Sequence, residues 1–185
     1  MKNYDRYRDI TAEQYDRKTI MSRFCLIPPN RKILPILSQI KNKKILEVGL
    51  GTGRYTKILL KTNEVVGLDR NIHLCKLPIR LCEGDATEIT QLIKDEKFDI
   101  VVSMWMTEYL NPDQLAAFFT ESKKVLNPGG KLITTVISPY GLGFLYVTLA
   151  KILKNIDKYN YTKRQIMEKL KQADFIDIEI INLFS

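Results

Sequence analysis

The chain has 185 residues, 45% of them hydrophobic, and a formal net charge of +8, which suits one domain that buries a core without disulfides or metals. A single histidine excludes a multi-histidine metal site, and three cysteines without CxxC spacing indicate reduced thiols in a cytoplasmic protein. The longest apolar run, residues 140–150, is too short to span a bilayer, and we expect no secretory signal because no apolar stretch follows the N-terminus.

The N-terminal segment is basic and has a helical pattern. Residues 1–44 carry +7 of the net charge, a patch that would attract an anionic substrate, a phospholipid surface or RNA, or would only aid solubility. Thr11 and Gln14 have the spacing of a capping box, and Pro28-Pro29-Asn30 predicts a break in the helical region. We therefore predict a helical cap segment over residues 1–42, ahead of a ligand-binding domain over residues 43–185.

From residue 43 onward, short apolar strands alternate with helices. The predicted strands are 44–48, 64–68, 79–82, 98–103, 131–137 and 175–183, and the predicted helices are 54–61, 86–94, 112–126 and 161–173. Continuous apolar strands such as 98–103 are typical of a parallel sheet that is buried on both faces. The pattern predicts an α/β fold of the Rossmann-like, doubly wound kind, with helices on both faces of a mostly parallel sheet. Ligands bind such sheets at the carboxyl ends of the strands.

Three glycines follow the first predicted strand, at positions 49, 51 and 53. Glycine permits close approach of the backbone to a ligand, and the start of the next helix favours an anionic group. A tight turn without a ligand would use the same residues. Asp69 ends the second strand, 20 residues after Gly49, and an acid there accepts hydrogen bonds from ribose hydroxyls. The spacing G-x-G-x-G differs from the dinucleotide fingerprint G-x-G-x-x-G, which argues against a nicotinamide cofactor.

Five segments in this order resemble the motifs of the class I S-adenosylmethionine (SAM)-dependent methyltransferases, in their small-molecule, type 11-like branch. The matching segments are 45–53, 65–69, 82–86, 98–103 and 125–132. The resemblance implies an enzyme that uses SAM as methyl donor, releases S-adenosylhomocysteine (SAH) and needs no metal. It also implies a seven-stranded sheet.

The resemblance assigns roles to residues around the glycine loop. Gly49, Gly51 and Gly53 would hold the methionine end of SAM. Glu47 would orient that loop and the ammonium group of the methionine end. Tyr15, in a tyrosine–aspartate pair near the N-terminus, would close over the cofactor, although an ordinary surface tyrosine has the same pattern.

Further roles follow for the ends of the later strands. Asp69 would bind the ribose, and Arg70 would lie beside the adenine. Asp85 and Ala86 would contact the adenine ring. Ser103-Met104, at the end of the fourth strand, would lie nearest the transferable methyl group.

The acceptor is less well determined. The segment Ser103-Met104-Trp105-Met106 stands where methylases of nucleobase amines carry Asn/Asp-Pro-Pro-Tyr, so a nucleic-acid acceptor is less favoured. Glu108 and Tyr109 are the catalytic candidates that could orient an acceptor, and both could equally pack or cap the next helix. His73 is interpreted as a surface or cofactor-rim residue.

Residues 138–160 are apolar and then basic. This pattern suits a pocket wall or an interfacial helix for a hydrophobic or lipid-like acceptor, or a helix packed on the core.

The predicted function is methyl transfer from SAM to a small or amphiphilic acceptor by in-line displacement. The alternatives are an RNA or protein methyltransferase, a phospholipid methyltransferase at the membrane surface, and a non-catalytic SAM-binding subunit. The chain ends just after one predicted strand, residues 176–184, which predicts six strands instead of seven. An uncovered apolar sheet edge would favour association, so we also predict a homodimer.

Overall fold

The computed structural model describes residues 10–14, 20–141, 147–148, 152 and 158–183. The strands found there are β1 (Lys44–Val48), β2 (Glu64–Asp69), β3 (Arg80–Glu83), β4 (Phe98–Ser103) and β5 (Leu126–Thr134). They form one sheet in the order β3-β2-β1-β4-β5, and every pairing is parallel. The strand order reverses at β1, which lies between β2 and β4. This reversal leaves a crevice at the carboxyl ends of these strands.

The helices surround the sheet. They are α1 (Ile20–Ser38), α2 (Thr56–Leu59), α3 (Ile89–Ile93), α4 (Pro112–Val125) and α5 (Lys163–Gln172), with 3-10 turns at Ile72–Leu74 and Thr107–Tyr109. The four helices predicted after residue 43 are present, and each is shorter than predicted. No helix in the described part of the chain is long and apolar enough to cross a membrane.

Capping boxes decide where two of these helices begin. The Asn111 side chain accepts a hydrogen bond from the Gln114 N–H at 2.9 Å, and the Gln114 side chain accepts one from the Asn111 N–H at 3.0 Å. Thr162 and Gln165 repeat the arrangement at the start of α5. The capping box predicted at Thr11 is also confirmed, since its hydroxyl accepts from the Gln14 N–H at 3.2 Å. Each box satisfies N–H groups that have no partner within the helix.

The buried residues form two clusters, one on each face of the sheet. Leu46 and Val101 belong to the larger cluster, which contains residues of α3, α4 and α5. Ile45 and Val102 belong to the second cluster, which contains residues of α1 and α2. Because successive strand residues point to opposite faces, this alternation places helices on both sides of the sheet. The predicted α/β, doubly wound fold is confirmed.

The predicted break at Pro28-Pro29-Asn30 is wrong, because α1 continues through these residues from Ile20 to Ser38. Ile33 and Leu37 on this helix are 4% and 1% exposed and pack in the second cluster. Tertiary packing of an apolar helix face outweighs the cost that prolines impose on an isolated helix.

The strand predicted at the C-terminal end is also wrong for the residues that the structure describes. Residues 175–183 pair with no strand there, and Ile176 is 80% exposed. Asp174 and Asp177 have φ angles of +60° and +53°, and this left-handed backbone interrupts an extended strand. The described sheet therefore has five strands, fewer than the seven of the family. The homodimer predicted from the missing strand stays a prediction.

The fifth strand begins earlier than predicted. β5 starts at Leu126, directly after α4, whereas the sequence predicted residues 131–137. Its register against β4 is irregular between Phe98 and Ile100. Gly129 and Gly130 lie inside this irregular start.

Candidate cofactor and acceptor cleft

A cleft opens at the carboxyl ends of β1, β2 and β4. The described residues that line it are Val48, Gly49, Gly51, Leu68, Asp69, Arg70, Asn71, Leu74, Gly84, Asp85, Ala86, Trp105, Met106, Tyr109 and Leu110. The structure thus brings together six of the residues predicted to bind the cofactor, namely Gly49, Gly51, Asp69, Arg70, Asp85 and Ala86.

The glycine loop needs its glycines for two reasons. Gly49, Gly51 and Gly53 have φ angles of +75°, +56° and +78°, which residues with a side chain rarely adopt. A Cβ atom on Gly49 would also lie 2.5 Å from Cγ of Met106. Gly53 is not among the described residues that line the cleft, and a Cβ there would lie 2.7 Å from Cδ1 of Leu77. Gly49 and Gly51 therefore offer bare backbone to a ligand, while Gly53 turns the chain into α2.

We expect Gly49→Ala to destabilise the fold more than Gly129→Ala does. Both glycines have a φ of +75°, but a Cβ on Gly129 would meet nothing within 4 Å. Gly129→Ala should lower the free energy of unfolding by about 1–2 kcal/mol through backbone strain alone. Gly49→Ala should lose about 1–3 kcal/mol more, because Met106 must move. Urea denaturation measures both variants, and equal losses would contradict the close contact with Met106.

Asp69 joins the glycine loop to the turn after β2. Its Oδ2 accepts a hydrogen bond from the Gly51 N–H at 2.9 Å, and its Oδ1 accepts one from the Asn71 N–H at 2.8 Å. Burial raises the pKa of Asp69, and these backbone N–H donors oppose the rise. Each carboxylate oxygen has a further lone pair, so the group can still accept hydrogen bonds from ribose hydroxyls.

Arg70 and Asp85 form an ion pair in the cleft. Oδ1 of Asp85 also accepts hydrogen bonds from the N–H and hydroxyl groups of Thr87, at 2.9 and 3.0 Å. Ala86, between these residues, is 8% exposed. The ion pair links the turn after β2 to the turn after β3. This is the side of the cleft where the resemblance places the adenine.

Glu47 lies in β1 and is not among the described residues that line the cleft. It is 2% exposed, and its Oε2 has no hydrogen-bond partner among the described residues. Burial raises the pKa of Glu47 to about 7; the Thr56 hydroxyl opposes the rise, and the charge of Asp69 adds to it. A buried carboxylate oxygen without a partner suits a cationic group such as an ammonium. Together with the open glycine backbone, it fits the cofactor that the resemblance implies.

The raised pKa of Glu47 predicts that stability falls as the pH rises. The pKa is 4.5 for an ordinary glutamate and about 7 here, so the fold favours the protonated form. Protonated Glu47 therefore contributes roughly 3 kcal/mol to the free energy of unfolding. This contribution is fully present below the pKa of Glu47 in the unfolded chain, and it is lost as the pH rises through its pKa in the folded protein. In urea denaturation between about pH 5 and pH 8, Glu47→Gln should flatten this decline. Glu64→Gln, at an exposed position of β2, should keep it, and an unchanged slope in Glu47→Gln would contradict the prediction.

The segment after β4 forms the other side of the cleft. Ser103 and Met104, predicted to contact the cofactor, are 0% and 7% exposed and are not among the described lining residues. Their cofactor contacts stay predictions. The residues of this segment that do line the cleft are Trp105, Met106, Tyr109 and Leu110.

The two catalytic candidates lie in different surroundings. Tyr109 lines the cleft. Glu108 is 3% exposed, and its Oε1 accepts a hydrogen bond from Nζ of Lys158 at 3.1 Å. That ammonium also lies 4.5 Å from the centroid of the Tyr109 ring. Burial raises the pKa of Glu108, and the charge of Lys158 opposes the rise. Glu108 is therefore half of a buried ion pair, and its action on an acceptor stays a prediction.

Other predicted features lie at the edge of the described residues or beyond it. Tyr15 and most of residues 138–160 are outside them. Lys158, predicted as part of a basic stretch, is 8% exposed and paired. His73 is exposed, and its Nε2 lies 3.1 Å from the carbonyl oxygen of Ile10, which agrees with its interpretation as a surface or rim residue.

Sequence reasoning did not identify Asn71, Leu74 or Trp105 as cleft residues. Asn71 and Leu74 follow the acid that ends β2, and Trp105 follows the end of β4 by two residues. The sequence could have indicated them as cleft residues, because they lie just beyond strand ends and the carboxyl ends of parallel strands meet at one edge of the sheet.

A comparison with known protein families matches this region. Residues 46–134 match the sequence model of a family described as a methyltransferase domain. The matched range runs from β1 to the end of β5. It therefore contains every described residue that lines the cleft.

Individual proteins show the same similarity. The chain is 32% identical over 113 residues to phosphoethanolamine N-methyltransferase 1 of Triticum aestivum, and the alignment covers 55% of this chain and 22% of that protein. It is 22% identical over 174 residues to demethylmenaquinone methyltransferase of Tropheryma whipplei, covering 84% of this chain and 72% of that protein. A crystal structure of a SAM-dependent methyltransferase from Thermotoga maritima superimposes with a TM-score of 0.72 at 19% identity, covering 95% and 82% of the two chains. The last comparison shows a shared fold.

Proposed function

Because the family match over residues 46–134 and the shared fold confirm the predicted membership of the class I SAM-dependent methyltransferases, we propose that this protein transfers a methyl group from SAM to a small or amphiphilic acceptor. The observation that carries the proposal is the position of Asp69. Its half-buried carboxylate lines the cleft and accepts a hydrogen bond from the Gly51 N–H, so the acid and the bare glycine backbone face one ligand site.

The chain's own residues would bind and orient both reactants. A methyl group on the sulfonium of SAM is already activated for transfer, so the protein has mainly to position the acceptor. In this proposal Gly49 and Gly51 admit the methionine end of the donor, and Asp69 accepts hydrogen bonds from the ribose. Asp85 lies on the adenine side. Tyr109, on the opposite side, orients the acceptor for in-line displacement, with base catalysis needed only if the acceptor must lose a proton.

The uncharged side of the cleft supports a small or amphiphilic acceptor. The described residues after β4 that line it are apolar, aromatic or thioether side chains. The two relatives described above are named for different compounds, phosphoethanolamine and demethylmenaquinone. Their names therefore leave the class of acceptor open.

The proposal is tested in two steps. Calorimetry should detect binding of SAH to the purified protein. Incubation of the protein with methyl-labelled SAM and a metabolite and lipid extract should then transfer label to a product that mass spectrometry identifies. Failure to bind SAH or SAM would overturn the proposal. Binding without transfer to any extract fraction would favour a non-catalytic SAM-binding subunit instead.

A further inference from the structure

Trp105 has a backbone conformation that is rare for a bulky residue. Its φ angle is +59°, in the left-handed region that costs free energy for residues other than glycine. Such strain persists only where the surroundings hold the residue firmly, and it is concentrated at binding and active sites. Trp105 lines the cleft at the end of β4, so the strained residue is also a candidate contact for a ligand.

Trp105 donates two hydrogen bonds that hold it in this conformation, and a third bond connects the second acceptor to α1. Its backbone N–H donates to the hydroxyl of Thr135 at 2.7 Å, just beyond β5. Its indole Nε1–H donates to the hydroxyl of Tyr55 at 2.7 Å, and that hydroxyl donates to Oδ1 of Asn30 at 2.8 Å. Asn30 belongs to α1, and Tyr55 precedes α2. The indole ring is thus fixed by a chain of contacts that begins in the N-terminal helix.

The cleft is divided by charge. Its charged lining residues, among those that the structure describes, are Asp69, Arg70 and Asp85, all at the ends of β2 and β3. The lining after β4, where Trp105 stands, contains no charged side chain in the described part of the chain. Charged contacts are therefore available to the cofactor side but not to the Trp105 side.

A cationic acceptor suits the Trp105 side poorly. The nearest carboxylate in the segment after β4 is that of Glu108, which is 3% exposed and already paired with Lys158. The Lys158 ammonium lies 4.5 Å from the Tyr109 ring centroid, so a cation already faces that aromatic ring. A cationic acceptor on the Trp105 side would lose hydration and would find no carboxylate among the described lining residues after β4 to compensate its charge. An uncharged flat ring loses little on desolvation and packs well against indole.

We propose that Trp105 determines acceptor specificity by packing against an uncharged aromatic ring, and that Tyr55 and Asn30 are positioning residues for its indole. The inference rests on the proposed function, since it assigns the acceptor side of the same cleft. It narrows the acceptor from a small or amphiphilic molecule to one that carries an uncharged aromatic ring.

The single tryptophan of the chain makes the proposal measurable by NMR, because the indole N–H gives one resonance. The protein saturated with SAH would be titrated with phenol, which is uncharged at neutral pH, and separately with tetramethylammonium. We expect phenol to shift the indole resonance saturably and tetramethylammonium to leave it unchanged. The opposite pattern, or no response to either probe, would overturn the proposal.

Tyr55→Phe tests the positioning residues. It removes the hydroxyl that accepts from the indole N–H while keeping the buried ring, so the indole resonance should move and exchange faster with solvent. Phenol affinity should fall about tenfold, with SAH affinity in calorimetry changed less than twofold. The matched control is Thr62→Val, which removes a hydroxyl hydrogen bond to the Ile40 carbonyl near the end of α1 and should alter neither quantity.

The outcomes separate this inference from the proposed function. Loss of SAH binding in the unmodified protein would defeat the proposed function. Normal SAH binding with unaltered phenol affinity in Tyr55→Phe would overturn only the role of Trp105 and its positioning residues.

Discussion

Asp69→Ala should weaken SAH binding by at least about 100-fold. Among the described residues, the substitution removes the one carboxylate that both lines the cleft and accepts a hydrogen bond from the glycine loop. Two charge-assisted hydrogen bonds to ribose hydroxyls would be lost, each with a net contribution of about 1.5–3 kcal/mol. The Gly51 N–H would also lose its acceptor. Calorimetry with SAH measures the affinity directly.

Asp99→Ala is the matched control for that experiment. Asp99 also anchors backbone, since its Oδ2 accepts from the Lys44 N–H at 2.9 Å and its Oδ1 accepts from the Asn127 side chain at 3.1 Å. It lies near the start of β4, at the end of the sheet remote from the cleft. The control should lose stability without losing SAH affinity. Equal losses of affinity in both variants would mean that Asp69 acts only through the stability of the fold.

The cofactor side of the cleft was predictable because its determinants are local. A glycine loop after one strand and an acid at the end of the next are visible in the sequence. The parallel arrangement then brings Gly49 and Asp69 to the same edge of the sheet. The turn with Asp85 follows in the same way from the third strand. No long-range contact had to be known for any of these placements.

The described lining of the cleft after β4 begins at Trp105, and the cofactor contacts predicted for Ser103 and Met104 stay predictions. The sequence favoured Ser103 and Met104, but Ser103 is still paired with Thr134 of β5 and remains within the sheet. The cleft begins where this pairing ends. The residue at which this pairing ends depends on the register of β5 against β4. That register shifts between Phe98 and Ile100, and the sequence of β4 alone does not predict the shift. The strained Trp105 was missed for the same reason.

The sequence showed Lys158 only as part of a basic stretch, and its burial could not be predicted because its partner is distant in the sequence. Glu108 is 50 residues earlier, in the 3-10 turn Thr107–Tyr109 that follows β4. Neither residue has a pattern that predicts burial, since lysine and glutamate are seldom fully buried unless paired. Only the fold, which brings the segment before α5 against the end of β4, makes the pair visible.

Loss of the buried ion pair should be costly, and we expect Lys158→Met to lower the free energy of unfolding by roughly 3–5 kcal/mol. Both side chains are 4% exposed, so the substitution leaves the Glu108 carboxylate buried without its counter-charge. The loss should shrink in acid, because protonated Glu108 carries no charge. Arg164→Met is the matched control, since its partner Glu168 and Arg164 itself are largely exposed. This exposed pair is screened by solvent, so its loss should leave the free energy of unfolding nearly unchanged.

The double variant Lys158→Met/Glu108→Gln separates charge from packing. If the unpaired carboxylate causes the loss, the neutral amide should restore most of the stability, because removing both charges of a buried pair costs far less than removing one. Urea denaturation of the two single variants and the double variant gives the coupling energy. A double variant as unstable as Lys158→Met would contradict the electrostatic explanation. The loss would then belong to the packing of the Lys158 side chain itself, whose ammonium lies 4.5 Å from the centroid of the Tyr109 ring that lines the cleft.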